Sequence, residues 1–419
     1  MIIIEKPRIE PSGVANQVNN REKSERRIRL ISHIINEVQP LQEDIWFETT
    51  EEYGKFFCNE TCDAFVVAML IPAVQTQQDI ECDCISEKLL YNLNNEVSFI
   101  LQSAWKGRRI QIKAKKIVNT VFGGEGIGSG CSLGVDSFAS ILGHSESYCS
   151  QNYCLNYLTN FNVGAFGSTD LKLARESWLN DLEKVKIFAD EYGLPLVTID
   201  SNIGITNYGL SFDQVFLFRN ASAVLSLQKL FKRYFIASGR TVDKISINKN
   251  YVSYSETLLV PLLSTESCDI IVSEADMTRT EKTKFICSTS YVRKHLYVCW
   301  KEIFKNEWPK YWNEIKDAAQ KNRNCTMCDK CMRTCLTLDL LGCLDEYKEI
   351  FDIPQYYKTK DSYIKKVVVN KNNNSYNSEL YDLMIEKHVD IPISVKLTAK
   401  YNRFMRLMKS IAKTLLQRQ

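Results

Sequence analysis

The chain has 419 residues, 45% of them hydrophobic and 25% charged, with a formal net charge of +3. This is ordinary globular composition, long enough for two domains or three small ones, and the charge is too mild to argue for a nucleic-acid-binding protein. No run of about 18 apolar residues marks a membrane span, and Ile2, Ile3 and Ile4 followed by Glu5 and Lys6 do not form a signal peptide. A cytoplasmic protein is expected, whose 15 cysteines are thiols or metal ligands rather than disulfides.

Residues 1–30, with Pro7, Pro11, Gly13 and a charged run at 20–27, read as poorly ordered. Residues 42–117 read as a small α/β unit. Within it, 64–71 is a continuous apolar run that fits a buried strand or helix. Residues 86–105 have helical spacing (Leu89, Leu93, Val97, Ile100), and 110–114 alternates like a half-buried strand. From 117 to 345 short apolar runs alternate with helical patterns. The elements are a strand at 162–166, a helix at 171–192 stopped by Gly193 and Pro195, a strand at 196–199, a helix at 221–231 and a strand at 234–237 before Gly239. That alternation predicts an α/β fold, a parallel sheet with covering helices. Residues 370–378 form an asparagine-rich loop. From Lys396 the chain carries Lys and Arg but no acid, with Phe404, Met405, Met408, Ile411 and Leu415 at helical spacing, so it ends as a basic amphipathic helix. The expected organisation is an N-terminal α/β extension with a disordered start (1–117), a central domain (118–345) and a C-terminal extension (346–419).

The first chemical motif is Ser132-Leu133-Gly134-Val135-Asp136-Ser137, leading into the apolar helix start Phe138-Ala139. A small-residue turn ahead of a helix points backbone N–H groups inward and adds the positive end of the helix dipole, which makes an anion nest. Ser132 and Ser137 can donate to phosphate oxygens, and Asp136 can hold Mg²⁺. The motif resembles the PP-loop, Ser-Gly-Gly-x-Asp-Ser, with Leu133 where that pattern has glycine. A side chain there narrows the turn, and the glycine-rich stretch 123–130 can supply backbone freedom. Read without the resemblance, the segment is a turn before a serine-capped helix.

The second motif, Cys325-Thr326-Met327-Cys328-Asp329-Lys330-Cys331, spaces three thiols so that they converge on one ion, and a closed tetrahedral zinc site needs a fourth. Cys299 is the chosen fourth ligand and Cys335 its rival, with Lys330 and Arg333 able to offset thiolate charge. Iron–sulfur or plain buried thiols are the other readings. Cys58, Cys62, Cys82 and Cys84 lack a matching second pair and read as core cysteines.

Taken in order, Ser132 to Ser137, Cys299-Trp300, and Cys325, Cys328, Cys331 with Arg333 resemble the 7-cyano-7-deazaguanine synthase family. Arg219-Asn220-Ala221 is similar to that family's Gly-Arg-Asn segment, and Arg279-Thr280-Glu281-Lys282-Thr283 to the segment opening the helix before its first zinc cysteine. The resemblance covers about half of the chain. It implies a Rossmann-like PP-loop domain (adenine nucleotide alpha hydrolase-like) with a C-terminal cysteine zinc segment. It implies ATP and Mg²⁺ bound through Ser132, Gly134, Asp136 and Ser137, and a substrate pocket lined near Arg219 and Asn220. It implies structural Zn²⁺ on Cys299, Cys325, Cys328 and Cys331. The implied reaction is adenylation of the carboxylate of 7-carboxy-7-deazaguanine, then attack by an amine to give an amide or, after a second ATP, a nitrile. Long flanks such as these occur in relatives from bacterial defence and accessory gene clusters, some of which join the deazapurine to a protein amine, so a co-encoded protein acceptor is an expected partner.

Several residues carry two readings. Asp170 can contact adenine or Mg²⁺, or cap a helix. Arg219 can bind a carboxylate or phosphate, or be an ordinary surface arginine. His33, His144, His295 and His388 share no ligand spacing. The basic C-terminal helix can bind a partner, RNA or anionic membrane, or dock with a solvated basic face. Two other functions fit the motifs: a PP-loop tRNA-modifying enzyme with an iron–sulfur site, and a catalytically silent PP-loop scaffold.

Overall fold

A computed structural model of the chain describes residues 1–12, 26–166, 170–206, 208–301, 310, 313, 323–401, 405 and 408. They divide into two compact units, one of Met1–Asp276 and one of the described residues from Met277 onward.

Among its described residues the first unit holds twelve strands: β1 (Ile2–Ile4), β2 (Arg8–Ser12), β3 (Arg27–Ser32), β4 (Ile34–Asn36), β5 (Ile45–Thr50), β6 (Ile80–Ser86), β7 (Ile112–Val118), β8 (Gly126–Gly130), β9 (Tyr157–Asn162), β10 (Leu196–Ser201), β11 (Phe231–Ala237) and β12 (Asp269–Ser273). A four-stranded sheet has the order β4-β1-β6-β7, and an eight-stranded sheet the order β12-β11-β8-β9-β10-β5-β3-β2. From β12 to β10 the large sheet is parallel; β5, β3 and β2 extend it antiparallel. The chain moves outward from β8 through β9 to β10, then returns to the other side of β8 for β11 and β12. The winding direction therefore reverses between β8 and β11, the place where open parallel sheets form a crevice beyond the strand ends.

The longer helices of this unit are α1 (Asp63–Thr76), α2 (Val135–Gly143), α3 (Leu171–Tyr192) and α4 (Phe212–Ser226). The apolar run 64–71 is helix, not strand: every residue from Ala64 to Val74 is buried, because α1 packs against both α4 and the small sheet. A helix apolar on all sides is a core helix.

Several sequence expectations shift. The poorly ordered start is corrected: β1, β2 and the beginning of β3 lie within residues 1–30, and only 13–25 fall outside the described residues. The strand expected at 162–166 is β9, which ends where that stretch begins, and the helix expected at 221–231 is α4, displaced toward the N-terminus. Ser211 opens α4 with a capping box to Gln214, a signal that sets the start at Phe212, well before the apolar run suggests. The sheet also runs through the boundary drawn at 117, since β5, β3 and β2 continue the sheet that carries β8.

The second unit is helical: α5 (Arg279–Ile286), α6 (Ser290–His295), α7 (Asp329–Leu340), α8 (Ile353–Asn370) and α9 (Ser375–Glu386). The asparagine-rich stretch is shorter than expected, because the Asn374 side chain caps α9 by accepting from the Asn377 N–H. Most of the basic C-terminal helix lies outside the described residues.

Candidate functional site

The segment after β8 turns sharply into α2. Leu133 adopts φ 58°, the left-handed region that costs a side-chain-bearing residue roughly 1–2 kcal/mol. This is the backbone conformation for which glycine is the default, so the leucine keeps a glycine-type turn rather than narrowing it. Its side chain is fully buried, which offsets the strain. The glycines upstream do different work. Gly126, Gly128 and Gly130 lie in β8, and a Cβ on Gly128 would come within 2.7 Å of the Phe231 ring, so the bare strand admits the aromatic face of β11.

The serines meet across the turn. The Ser132 N–H and Oγ both lie 3.4 Å from Ser137 Oγ, and Ser137 Oγ donates to the Gly134 carbonyl at 3.2 Å. Gly134 stands at the N-cap of α2 without a side-chain cap, so the first turn of that helix presents backbone donors. Ser132, Asp136 and Ser137 line a cleft of about 290 Å³, together with Asn160, Phe161, Phe216, Asn220 and Tyr234. The volume is near the lower end for small-ligand pockets, roughly 300 Å³, and the cleft occupies the crevice at the β8–β11 reversal.

Asn160 is a residue that sequence reading missed. Its Nδ2 donates to the Cys131 carbonyl at 2.8 Å while its Oδ1 accepts from Trp178 Nε1 at 2.6 Å. One side chain thereby fixes the start of the turn to α3. Phe161 and Tyr234 stand as near-parallel rings 6.1 Å apart on the cleft wall. A strand placed at 162–166 hid both Asn160 and Phe161.

The remaining candidates divide. Asn220 lines the cleft, with its Nδ2 donating to the Phe216 carbonyl at 2.7 Å. Arg219 is buried behind it, not on the surface; Nη2 lies 3.4 Å from Thr206 Oγ1, and burial lowers its guanidinium to about 10. Gly164 makes room for that group: it has φ 103°, and a Cβ there would sit 2.6 Å from Arg219 Nη1. Asp170 is the N-cap of α3, accepting from the Lys172 and Leu173 N–H groups at 2.9 and 3.3 Å, and is not among the described residues that line the cleft.

In the second unit Cys299, Cys325, Cys328 and Cys331 converge, all buried, with sulfurs within 4.8 Å of one another. Tetrahedral zinc at Zn–S of about 2.3 Å gives sulfur–sulfur edges of about 3.8 Å. The Cys325–Cys331 and Cys328–Cys331 separations are 3.7 and 3.4 Å, so the group could hold a metal ion such as zinc. Cys299 rather than Cys335 completes the set; Cys335 is buried outside it. Thr326 takes φ 55°, which bends the chain so that the Cys328 N–H reaches Cys325 Sγ at 3.3 Å, and the Cys325 N–H reaches Cys299 Sγ at 3.4 Å. Contacts from the Cys299, Cys325 and Cys331 thiols hold Cys328 well below the ordinary thiol value, and burial pushes Cys331 well above it.

Asn324, also missed from sequence, ties the two halves of the group together. Its Oδ1 accepts from the Val298 N–H at 2.9 Å and its Nδ2 donates to the Leu296 carbonyl at 3.0 Å. Lys330 and Arg333 stack on Trp300 and Tyr376, 4.6 and 4.1 Å from the ring centroids. Cys58, Cys62, Cys82 and Cys84 are buried core thiols. No helix among the described residues is long and apolar enough to cross a membrane.

Comparison with known protein families, with curated proteins and with solved structures finds no match for this chain.

Proposed function

We propose that this chain is an ATP-dependent carboxylate-activating enzyme of the PP-loop type, acting on a 7-carboxy-7-deazaguanine-like acid. The observation that carries the reading is the Ser132–Ser137 turn: a strained, glycine-type turn at the sheet's reversal point, opening a helix beside an aromatic-walled cleft. In this reading the α2 N-terminus and Ser132, Gly134 and Ser137 would take the phosphates, and Asp136 would hold Mg²⁺, which would supply charge neutralisation at the phosphates. The rings of Phe161 and Tyr234 suit a flat heterocycle in the cleft. A carboxylate is a poor electrophile; transfer of AMP to it creates a good leaving group, which an amine displaces to form an amide. The chain's own part is alignment and charge neutralisation. Arg219, behind the wall, would hold the positive potential that draws an anionic ligand, and the four cysteines would hold structural zinc. The acceptor amine would come from ammonia or from a co-encoded protein, with antiphage defence as the setting.

The test is AMP formation followed by mass spectrometry. The protein is incubated with ATP, Mg²⁺ and 7-carboxy-7-deazaguanine, with and without ammonia. AMP that requires the deazapurine is expected, with loss of at least 100-fold in Asp136→Ala, the scale seen when a charge-stabilising group is removed. AMP formation by Asp136→Ala at the wild-type rate would overturn the assignment. Absence of AMP with every carboxylate would favour the silent scaffold. A brown protein from oxygen-free purification would favour the iron–sulfur tRNA-modifying enzyme.

A further inference from the structure

Away from the cleft and the four-cysteine group, two thiols stand together on the loop that joins α2 to β9. Cys149 and Cys154 are both partly exposed, with sulfurs 3.0 Å apart. The loop is closed at its base by the Leu155 N–H donating to the His144 carbonyl at 2.9 Å. Inside it, the Tyr148 and Cys149 N–H groups donate to the Ser145 carbonyl, and the Cys154 N–H to that of Gln151. Carbonyl oxygens flank each sulfur: Ser145 lies 3.4 Å from Cys149 Sγ, and Ser150 3.4 Å from Cys154 Sγ. Arg233 of β11 holds the loop from outside, with Nη1 donating to the Asn152 carbonyl and the guanidinium 4.1 Å from the Tyr153 ring centroid. The loop's fold thus brings the two side chains together before any bond joins them. Cys62 and Cys84, 3.9 Å apart, differ in being buried, out of reach of an oxidant in solution.

We propose that Cys149 and Cys154 form a reversible oxidation site that closes to an intraloop disulfide when a low-molecular-weight disulfide is present. The Cys154 thiolate attacks one sulfur of oxidised glutathione. That S–S bond breaks, one reduced glutathione leaves, and a mixed disulfide remains on Cys154. Cys149 then gives up its proton and attacks the Cys154 sulfur, expelling the second glutathione. Two electrons and two protons pass from the pair to the oxidant. Burial, together with the adjoining Cys154 thiol, pushes Cys149 up to about 12, so the exchange opens at Cys154 rather than at Cys149. This inference does not depend on the function proposed above.

The full chain is equilibrated with mixtures of oxidised and reduced glutathione, acid-quenched, alkylated and digested with chymotrypsin. Tyr153 lies between the two cysteines, so cleavage there leaves peptides joined only by the disulfide. Under oxidising mixtures, alkylation of Cys149 and Cys154 should be lost together and joined peptides recovered; dithiothreitol should restore both. Cys149→Ser should trap glutathione on residue 154, and Cys154→Ser should leave Cys149 open to alkylation. Full alkylation of both sites under oxidising mixtures, single glutathione adducts in the wild type, or a link to any third cysteine would overturn the proposal.

Discussion

Leu133 sets two terms against each other. The left-handed backbone costs it roughly 1–2 kcal/mol, while removing a buried leucine side chain costs about 2.7–5.0 kcal/mol. Burial wins, which is why a leucine persists at φ 58°. Leu133→Ala and Leu133→Gly both lose the side chain, but only glycine also releases the strain. In an ordinary helix or strand glycine is the less stable of the two by roughly 0.5–1 kcal/mol; here the order should invert, with the glycine variant the more stable in urea denaturation. An alanine variant of equal or greater stability would sink this account of the turn. Asp63 poses a different balance. Its carboxylate accepts from the Ser86 N–H and hydroxyl, Thr61 Oγ1 and Gln228 Nε2, yet complete burial pushes its carboxyl above the usual range despite those donors. A carboxyl raised on folding contributes stability that is fully present below its unfolded value and is lost as pH rises through its folded value. Wild type should therefore lose stability relative to Asp63→Asn as the pH is raised from about 4 to 7. A gap that stays constant or moves the other way in pH-resolved denaturation would contradict it.

Among the elements, α3 was legible end to end because its signals are local. Asp170 caps it, its apolar face repeats, and Gly193 at φ 82° ends it. Asp170→Ala should cost about 1 kcal/mol by loss of the cap, while Asp170→Asn should restore most of it, since an amide oxygen accepts the same two N–H groups. Equal losses in both variants on thermal melting would mean that the carboxylate's charge, not its cap, matters. The motif residues were equally readable: Ser132, Asp136 and Ser137 share the cleft and the four chosen cysteines converge. What escaped was non-local. β1 gains its place by pairing with β4 and β6, and β2 by pairing with β3 across 13–25, so neither three nor five residues of sequence could announce it. β9 was misplaced because its end is polar: Thr159, Asn160 and Asn162 spend their side chains on Tyr234, Cys131 and Asp200. Two of these, Thr159 and Asn160, line the cleft, so positions that shape the site also break the apolar pattern used to find strands.

For the whole chain, the two units rest on different physics. Met1–Asp276 encloses a continuous apolar core that spans both of its sheets. The second unit gathers Cys299 and Cys325, which are 26 positions apart, around four buried sulfurs. A structural metal would contribute folding free energy there directly, because no preformed site survives in the unfolded chain. Purified protein should then contain stoichiometric zinc, and Cys328→Ser should lose it. Hydrogen exchange read by mass spectrometry should show faster exchange in α7 and α8 of that variant, with the strands of the large sheet unchanged. Zinc binds thiolates, so metal retention should fall as the solution is acidified, and α7 should lose protection over the same range in which zinc is released. Wild-type zinc content in Cys328→Ser, or loosening of β8 to β12 equal to that of α7, would show that the four sulfurs do not act as a metal centre confined to their own unit.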